Sequence, residues 1–269
     1  MALRSQLFVP GNRPDRFEKA CQTEADLICI DLEDAVGPGD KESARAETLA
    51  WLAATPHKHV ALRINPVDTD FGQADIKALA DSGLSLPFVM IPKLGSAEDV
   101  AVLDSALPKA LGVFFAIIES AKGVVNCGEI FRHPRVKMAI YGAIDYAGDV
   151  GCDRSWETHL FARSKLVAHA AVNDVILFDT PHTDIKNLED CEATTRKAKA
   201  LGIFARSAIH PMQIGAIHNA LRPSEEELSY ANRVMDAFEA ADGNVVVLDG
   251  KMIEEPIVKS ARRILAFKG

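Results

Sequence analysis

Short apolar runs that break off at polar residues recur along the chain. They are SQLFVP (5–10), LICIDLED (27–34), HVALRIN (59–65), FVMIPKL (88–94), GVFFAIIES (112–120), VKMAIYG (136–142), DVILFDT (174–180) and ARSAIHP (205–211). Their length and their content of branched and aromatic residues predict buried strands. Between them, residues 13–23, 41–54, 71–82, 97–107, 124–131, 156–171, 188–201 and 212–220 show helical spacing. Strands alternating with such helices predict βαβ units and parallel pairing. The crossovers are short and even, without the reversal that marks a doubly wound sheet. A closed TIM (β/α)8 barrel over residues 1–221 is therefore expected.

The pattern changes after the eighth repeat. Pro223 and Ser224 are followed by acids, which predicts a capped helix. NVVVLDGKMIEEP reads as a short strand and turn, and residues 257–267 as a last helix. Residues 222–269 are surplus to barrel closure. They are expected to form an extension that caps the barrel or reaches a neighbouring subunit as a lid.

Of 269 residues, 48% are hydrophobic and 25% charged, enough material for a large core. A net charge of −8 argues against a nucleic-acid surface, though it permits a local basic pocket for a phosphorylated ligand. The five cysteines, at positions 21, 29, 127, 152 and 191, form no CxxC pair, which points to a reducing, cytoplasmic setting. The N-terminal stretch lacks the apolar core of a signal peptide, and no segment reaches a membrane-spanning length.

A parallel barrel displays its chemistry at the C-terminal ends of its strands. There the runs stop at Asp31, Glu33 and Asp34, at Arg63 and Asn65, and at Lys93, Glu119, Asp179 and His210, with Asp145 three residues beyond the sixth. Glu119 and Asp145 fall on consecutive strand ends. Two carboxylates suit Mg²⁺, with Mn²⁺ as a substitute, because such ions keep several waters. The plain alternative for Glu119 is to cap the following helix. Asp31 and Glu33 alternate with Ile30 and Leu32, so both should face inward and need partners. Arg63 and Lys93 are the obvious ones, and with Asp34 they would form a network beside the metal. Arg63 suits a carboxylate or a thioester oxygen gaining charge; it equally suits a structural bridge to DLED. His210 reads as an acid–base group or as a partner of barrel carbonyls. His57, His59, His133, His159, His169, His182 and His218 lack zinc-site spacing and read as structural or exposed. Arg13, Arg16 and Lys19 surround a strand-to-helix turn that either gathers phosphates or is an ordinary basic face.

RSQLFVPGNRPDRFEKA, ICIDLEDAV, LRIN, MIPKLGSAEDV, AIIESAKGVVNCGEI, YGAIDYAGDVG, SAIHPMQI and DGKMIEEP occur in this order. Together they resemble the citrate-lyase β-subunit-like enzymes of the HpcH/HpaI aldolase superfamily, which include malyl-CoA, citramalyl-CoA and citryl-CoA lyases. The resemblance implies a TIM barrel, trimeric or hexameric, that breaks a carbon–carbon bond of a CoA thioester with Mg²⁺. It makes Glu119 and Asp145 the metal ligands and Arg63 a substrate contact. Phe8, Arg13, Lys19, Ile209 and His210 match positions that contact the thioester. Glu254 matches the catalytic acid–base carboxylate of a lid that enters a neighbour's site. That position usually carries aspartate, whereas here Met252-Ile253-Glu254 places a side chain one methylene longer. IES in place of IET leans toward malyl-CoA lyases. The resemblance implies cleavage of malyl- or citramalyl-CoA to an acyl-CoA and an oxoacid. A citryl-acyl-carrier lyase, a CoA-independent hydroxy-oxoacid aldolase and a non-catalytic metal-binding regulator are the alternatives.

Overall fold

The computed structural model describes residues 3–54 and 59–267; His57 lies outside them. Eight parallel strands close a barrel in sequence order, with the eighth pairing the first. They are β1 Ser5–Pro10, β2 Leu27–Asp31, β3 Val60–Arg63, β4 Phe88–Ile91, β5 Val113–Ile118, β6 Val136–Tyr141, β7 Ile176–Asp179 and β8 Ala205–Ala208. The intervening helices are α1 Phe17–Cys21, α2 Lys41–Ala54, α3 Asp70–Asp81, α4 Ala97–Ala106, α5 Ala121–Arg132, α6 Ala143–Val150, α7 Leu160–Asn173, α8 Leu188–Leu201 and α9 Met212–Leu221. Side chains fill the barrel; Phe115 and Phe178, both fully buried, meet with ring centroids 5.0 Å apart. Each such ring contributes about 1.5–3 kcal/mol by leaving water.

Two departures from the sequence pattern bear on the site. The run LICIDLED leaves the strand at Asp31, because the Asp31 carboxylate accepts the amides of Glu33 and Ala35 at 2.8 and 3.0 Å. An aspartate that bonds the backbone ahead of it turns the chain. Between β6 and β7, where one helix was expected over 156–171, there are two. α6 is the additional one, and it ends at Gly151 in the left-handed conformation (φ 71°). The start of α7 is delayed to Leu160 because His159 is held by the Tyr141 hydroxyl at 2.6 Å and the Asp153 carbonyl at 3.1 Å.

At the N-terminal end of the barrel, Asp26 accepts the amides of Arg4 and Ser5 at 2.8 and 3.0 Å, and His218 Nε2 lies 3.5 Å away. Burial alone would raise the Asp26 carboxyl. The hydrogen bonds from His218 and Arg4 outweigh it and hold the group well below the usual carboxylate range. Its stabilisation is therefore present above the unfolded value of about 3.9 and is lost as pH falls through the folded value. Asp26→Asn should lower the thermal midpoint by a few degrees at neutral pH. It should also flatten the loss of stability below about pH 4. Thermal melts across that range check this; an unchanged acid limb would clear Asp26 of the role.

The chain divides into two compact units, Arg4–Ala220 and a C-terminal unit that begins at Leu221. The latter holds α10 Glu225–Ala240, strands β9 Val246–Leu248 and β10 Lys251–Ile253, and α11 Glu255–Ala266. Ser224 and Glu227 form the capping box that the sequence announces. The two short strands pair antiparallel across Asp249 and Gly250, with φ of 52° and 74°. Two consecutive positive values favour an Asp-Gly turn of the hairpin type. Ala231, Val234, Ile253, Val258 and Ala261 form this unit's own core.

Candidate active site

The C-terminal strand ends surround a cavity of about 350 Å³, whose wall includes Phe8, Arg63, Glu119, Gly142, Asp145 and Ile209. Glu119 follows β5 and is 5% exposed. It does not cap the next helix. The Ser120 hydroxyl does so, accepting the Gly123 amide at 3.0 Å. Glu119 Oε1 instead accepts the Lys93 amide at 2.9 Å. Lys93 reaches it with a positive φ of 55°, an uncommon conformation for a side-chain-bearing residue. The strand register pairs Ile118 with Tyr141, so Glu119 and Gly142 come opposite each other just beyond the sheet. A Cβ on Gly142 would lie 2.4 Å from Glu119 Cβ and 2.7 Å from Oε2. Only glycine leaves Glu119 its place.

Asp145 lies in the first turn of α6, exposed on the same cavity. Burial pushes the Glu119 carboxyl up to about 8, and the charges of Glu33 and Asp145 add to the effect. The positive charge of Arg63 pulls the other way, but it does not offset burial and the neighbouring acids. Among the described residues no group of three or more His, Cys, Asp and Glu forms a metal cage. A pair of carboxylates fits an ion that keeps most of its waters, and a divalent cation would relieve the excess of acid.

Arg63 organises the acids of DLED. Its Nε and Nη2 donate to the two oxygens of Asp31 at 2.6 Å each, and Nη1 lies 2.9 Å from Glu33 and 3.5 Å from Asp34. The bridge is thus present, formed by a guanidinium that also packs 4.7 Å from the Phe8 ring centroid on the cavity wall. Burial opposes the charge on Arg63, but Asp31 outweighs it and raises the pKa. Glu33 is 3% exposed, and neither carboxylate oxygen has an aligned hydrogen bond. Its closeness to Arg63, and to Lys93 Nζ at 3.5 Å, is charge contact without directed bonding. Burial pushes Glu33 up to about 7; Arg63 opposes this, and Asp34 and Asp31 reinforce it. Lys93 is half exposed; burial works against its charge, while Glu33 and Asp34 hold it.

The remaining candidates separate by location. Ile209 stands at the cavity, 44% exposed. His210 Nδ1 accepts the Met212 amide at 3.2 Å, at the start of α9, instead of meeting barrel carbonyls. Arg13 and Lys19 are exposed beyond β1, Arg13 paired with Asp15 at 2.8 Å. Glu254 is the exposed N-cap of α11 and makes no side-chain capping bond. Asn65 is tied to Asp75 through its amide and its side chain, each at 2.8 Å. Asp179, fully buried, binds Arg163 at 2.9 Å. Pattern reading missed Lys41 and Gly142. Lys41 Nζ donates to the carbonyls of Leu32 and Glu33 at 2.7 and 2.6 Å and so pins the acidic turn. Its signal was a lysine opening the helix after DLED.

A closed parallel barrel with facing acids at its C-terminal mouth defines a TIM-barrel protein with a site suited to a divalent cation and an oxygen-rich ligand. The chain belongs to the HpcH/HpaI aldolase/citrate lyase family, whose profile matches residues 4–211. It is 32% identical to an L-malyl-CoA/beta-methylmalyl-CoA lyase of Cereibacter sphaeroides, over 97% of this chain and 93% of that protein. It is 33% identical to the citrate lyase subunit beta of Haemophilus influenzae, over 97% and 95%. A (3S)-malyl-CoA thioesterase of Cereibacter sphaeroides is 31% identical, over 98% and 93%. The solved structure of CitE from Mycobacterium tuberculosis, in complex with magnesium, acetoacetate and coenzyme A, superposes with a TM-score of 0.85 at 30% identity, over 99% of this chain and 98% of that one.

Proposed function

We propose that the chain is a Mg²⁺-dependent carbon–carbon lyase acting on a 3-hydroxy-acyl-CoA that bears a carboxylate on its hydroxyl carbon, of the malyl- or citramalyl-CoA class. The observation that carries this reading is the buried Glu119 facing Gly142 and sharing the cavity with Asp145. Glu119 and Asp145 would hold the ion. When bound, Mg²⁺ supplies polarisation of the hydroxyl and neutralisation of charge on the oxoacid. Phe8 and Ile209 give the cavity an apolar wall for the thioester arm, and Arg13, Lys19 and His210 would bind its charged end. Arg63, held by Asp31, presents fixed positive charge where the thioester oxygen gains negative charge as the bond breaks. Asp31, Glu33 and Asp34 keep that guanidinium in register, and Lys93 Nζ shares the charge of Glu33 at 3.5 Å. As the bond breaks, the hydroxyl proton passes to solvent and the electron pair to the thioester enolate, whose carbon then takes a proton from Glu254 of a neighbouring subunit in a trimer or hexamer. The products are an acyl-CoA and an oxoacid; Mn²⁺ would substitute for Mg²⁺.

The first test is a mass-spectrometric screen of malyl-, citramalyl-, β-methylmalyl- and citryl-CoA with Mg²⁺. A lyase releases an oxoacid and an acyl-CoA. Free CoA with an intact hydroxy acid would show thioester hydrolysis and overturn the lyase assignment. A demand for an acyl-carrier protein would move the substrate to the citryl-acyl-carrier class.

Gly142 provides a sharper check on the geometry. Gly142→Ala should displace Glu119 and lower turnover by about a hundredfold, the scale of an ångström of misplacement at a reacting centre. Its far-ultraviolet circular dichroism should match wild type. Full activity in the folded variant would separate Glu119 from the chemistry.

A further inference from the structure

Beside the acidic cavity lies a second recess of about 220 Å³, lined by residues that follow β6 and β7, by Asp190 and Thr194 of α8 and by Arg206 of β8. It shares Ile144, Thr180, Pro181 and Thr183 with the first, so the two adjoin. Their charges are opposite. Arg154, Arg163 and Arg206 line the recess, with Trp156, His182 and Thr183. The acid on its wall, Asp190, is already engaged by His182 Nε2 at 2.8 Å.

The two inner arginines are rigidly held. Arg163 is 5% exposed and Arg206 3%. Arg163 binds Asp179 and packs 4.4 Å from the Trp156 ring centroid. Arg206 Nε donates to the Thr180 carbonyl at 3.0 Å. Its Nη1 donates to the hydroxyls of Thr194 and Thr195 at 2.8 Å each and to the Cys191 carbonyl at 3.2 Å. All these acceptors are neutral. Asp179, its partner across the strands, is taken up by Arg163. Among the described residues Arg206 thus carries a buried charge with no carboxylate partner, and Arg154, exposed, makes no ion pair among them. A buried charge normally has a partner, and planar guanidinium groups match carboxylate and phosphate oxygens.

We propose that this recess is an anion site that takes the carboxylate or phosphate group of a small ligand. Its volume is below the roughly 300–1,000 Å³ of sites for drug-sized molecules, so the group it takes is small. That group belongs either to a separate anion or to the charged end of a ligand seated in the neighbouring cavity. The inference rests on the recess and not on the lyase reading, and its test needs no turnover.

The chain has two tryptophans, so Trp51→Phe leaves Trp156 as the sole indole in the full-length protein. Titration with succinate or inorganic phosphate, at ionic strength held constant with chloride, should change Trp156 emission and saturate. Adding Arg154→Glu should weaken binding about tenfold or more. Arg154 is exposed, so the variant should fold, and its thermal midpoint should match the parent. With Mg²⁺ present, tighter binding of oxaloacetate than of pyruvate, lost in Arg154→Glu, would assign the recess to the end of a ligand in the neighbouring cavity. Equal binding of the two oxoacids, with phosphate bound independently of both, would assign it to a separate anion. A response no larger than that of chloride, or equal affinity in Arg154→Glu and its parent, overturns the proposal.

Discussion

Glu119→Gln should abolish Mg²⁺-dependent turnover, by about a thousandfold or more, while the barrel stays folded. Even partners that only support a metal ligand cost about 10–100-fold when changed, and the loss of a ligand itself should exceed that. The fold should tolerate the change because the amide keeps the volume of the carboxylate. It also removes an acid whose burial pushes it up to about 8 in the absence of a counter-ion. The variant should therefore be at least as stable as wild type without metal and should lose the stabilisation that Mg²⁺ confers on wild type. Thermal melts with and without Mg²⁺, beside the turnover assay, separate the two effects. Normal turnover in Glu119→Gln, or full activity of wild type after exhaustive chelation, would falsify the metal assignment.

Glu254→Gln should lower turnover by about 10²–10⁴-fold, the usual range for loss of an acid–base group. Glu254 is exposed at the N-cap of α11 and makes no capping bond, so the amide has little structural consequence. The variant should keep Mg²⁺ binding and lose exchange of acetyl-CoA methyl protons with solvent. Glu254→Asp should retain activity, because it keeps a carboxylate at that position. If the lid serves an adjacent subunit, mixing Glu119→Gln with Glu254→Gln protein should regenerate some activity as subunits exchange. Verified hetero-oligomers that stay inactive would argue for a site within one chain, and an active Glu254→Gln enzyme would remove Glu254 from the mechanism.

The alternation of strand and helix was legible because both periods are local. Eight apolar runs mark eight strands, and Ser224, Asp249 and Gly250 carry the capping box and hairpin turn of the C-terminal unit in their residue types. The errors have local causes as well. LED left the strand because the Asp31 side chain captures the next amides, and α6 escaped notice because it is short and ends at a glycine.

By itself the sequence determined the order of the eight barrel strands, the family, and the set of polar residues that the strands present at one end of the barrel, since each follows from residue type and spacing. Only the tertiary structure decided which of those groups meet. Arg63 finds Asp31 across 32 residues, Lys93 gives Glu119 its amide across 26, and Gly142 leaves the room that Glu119 occupies. No local rule chooses among such pairings, because the choice depends on strand register and barrel closure. The same closure buries Glu119 among acids that Arg63 only partly offsets and, among the described residues, leaves Arg206 without a carboxylate partner, an imbalance set by burial, which exists only in the folded chain.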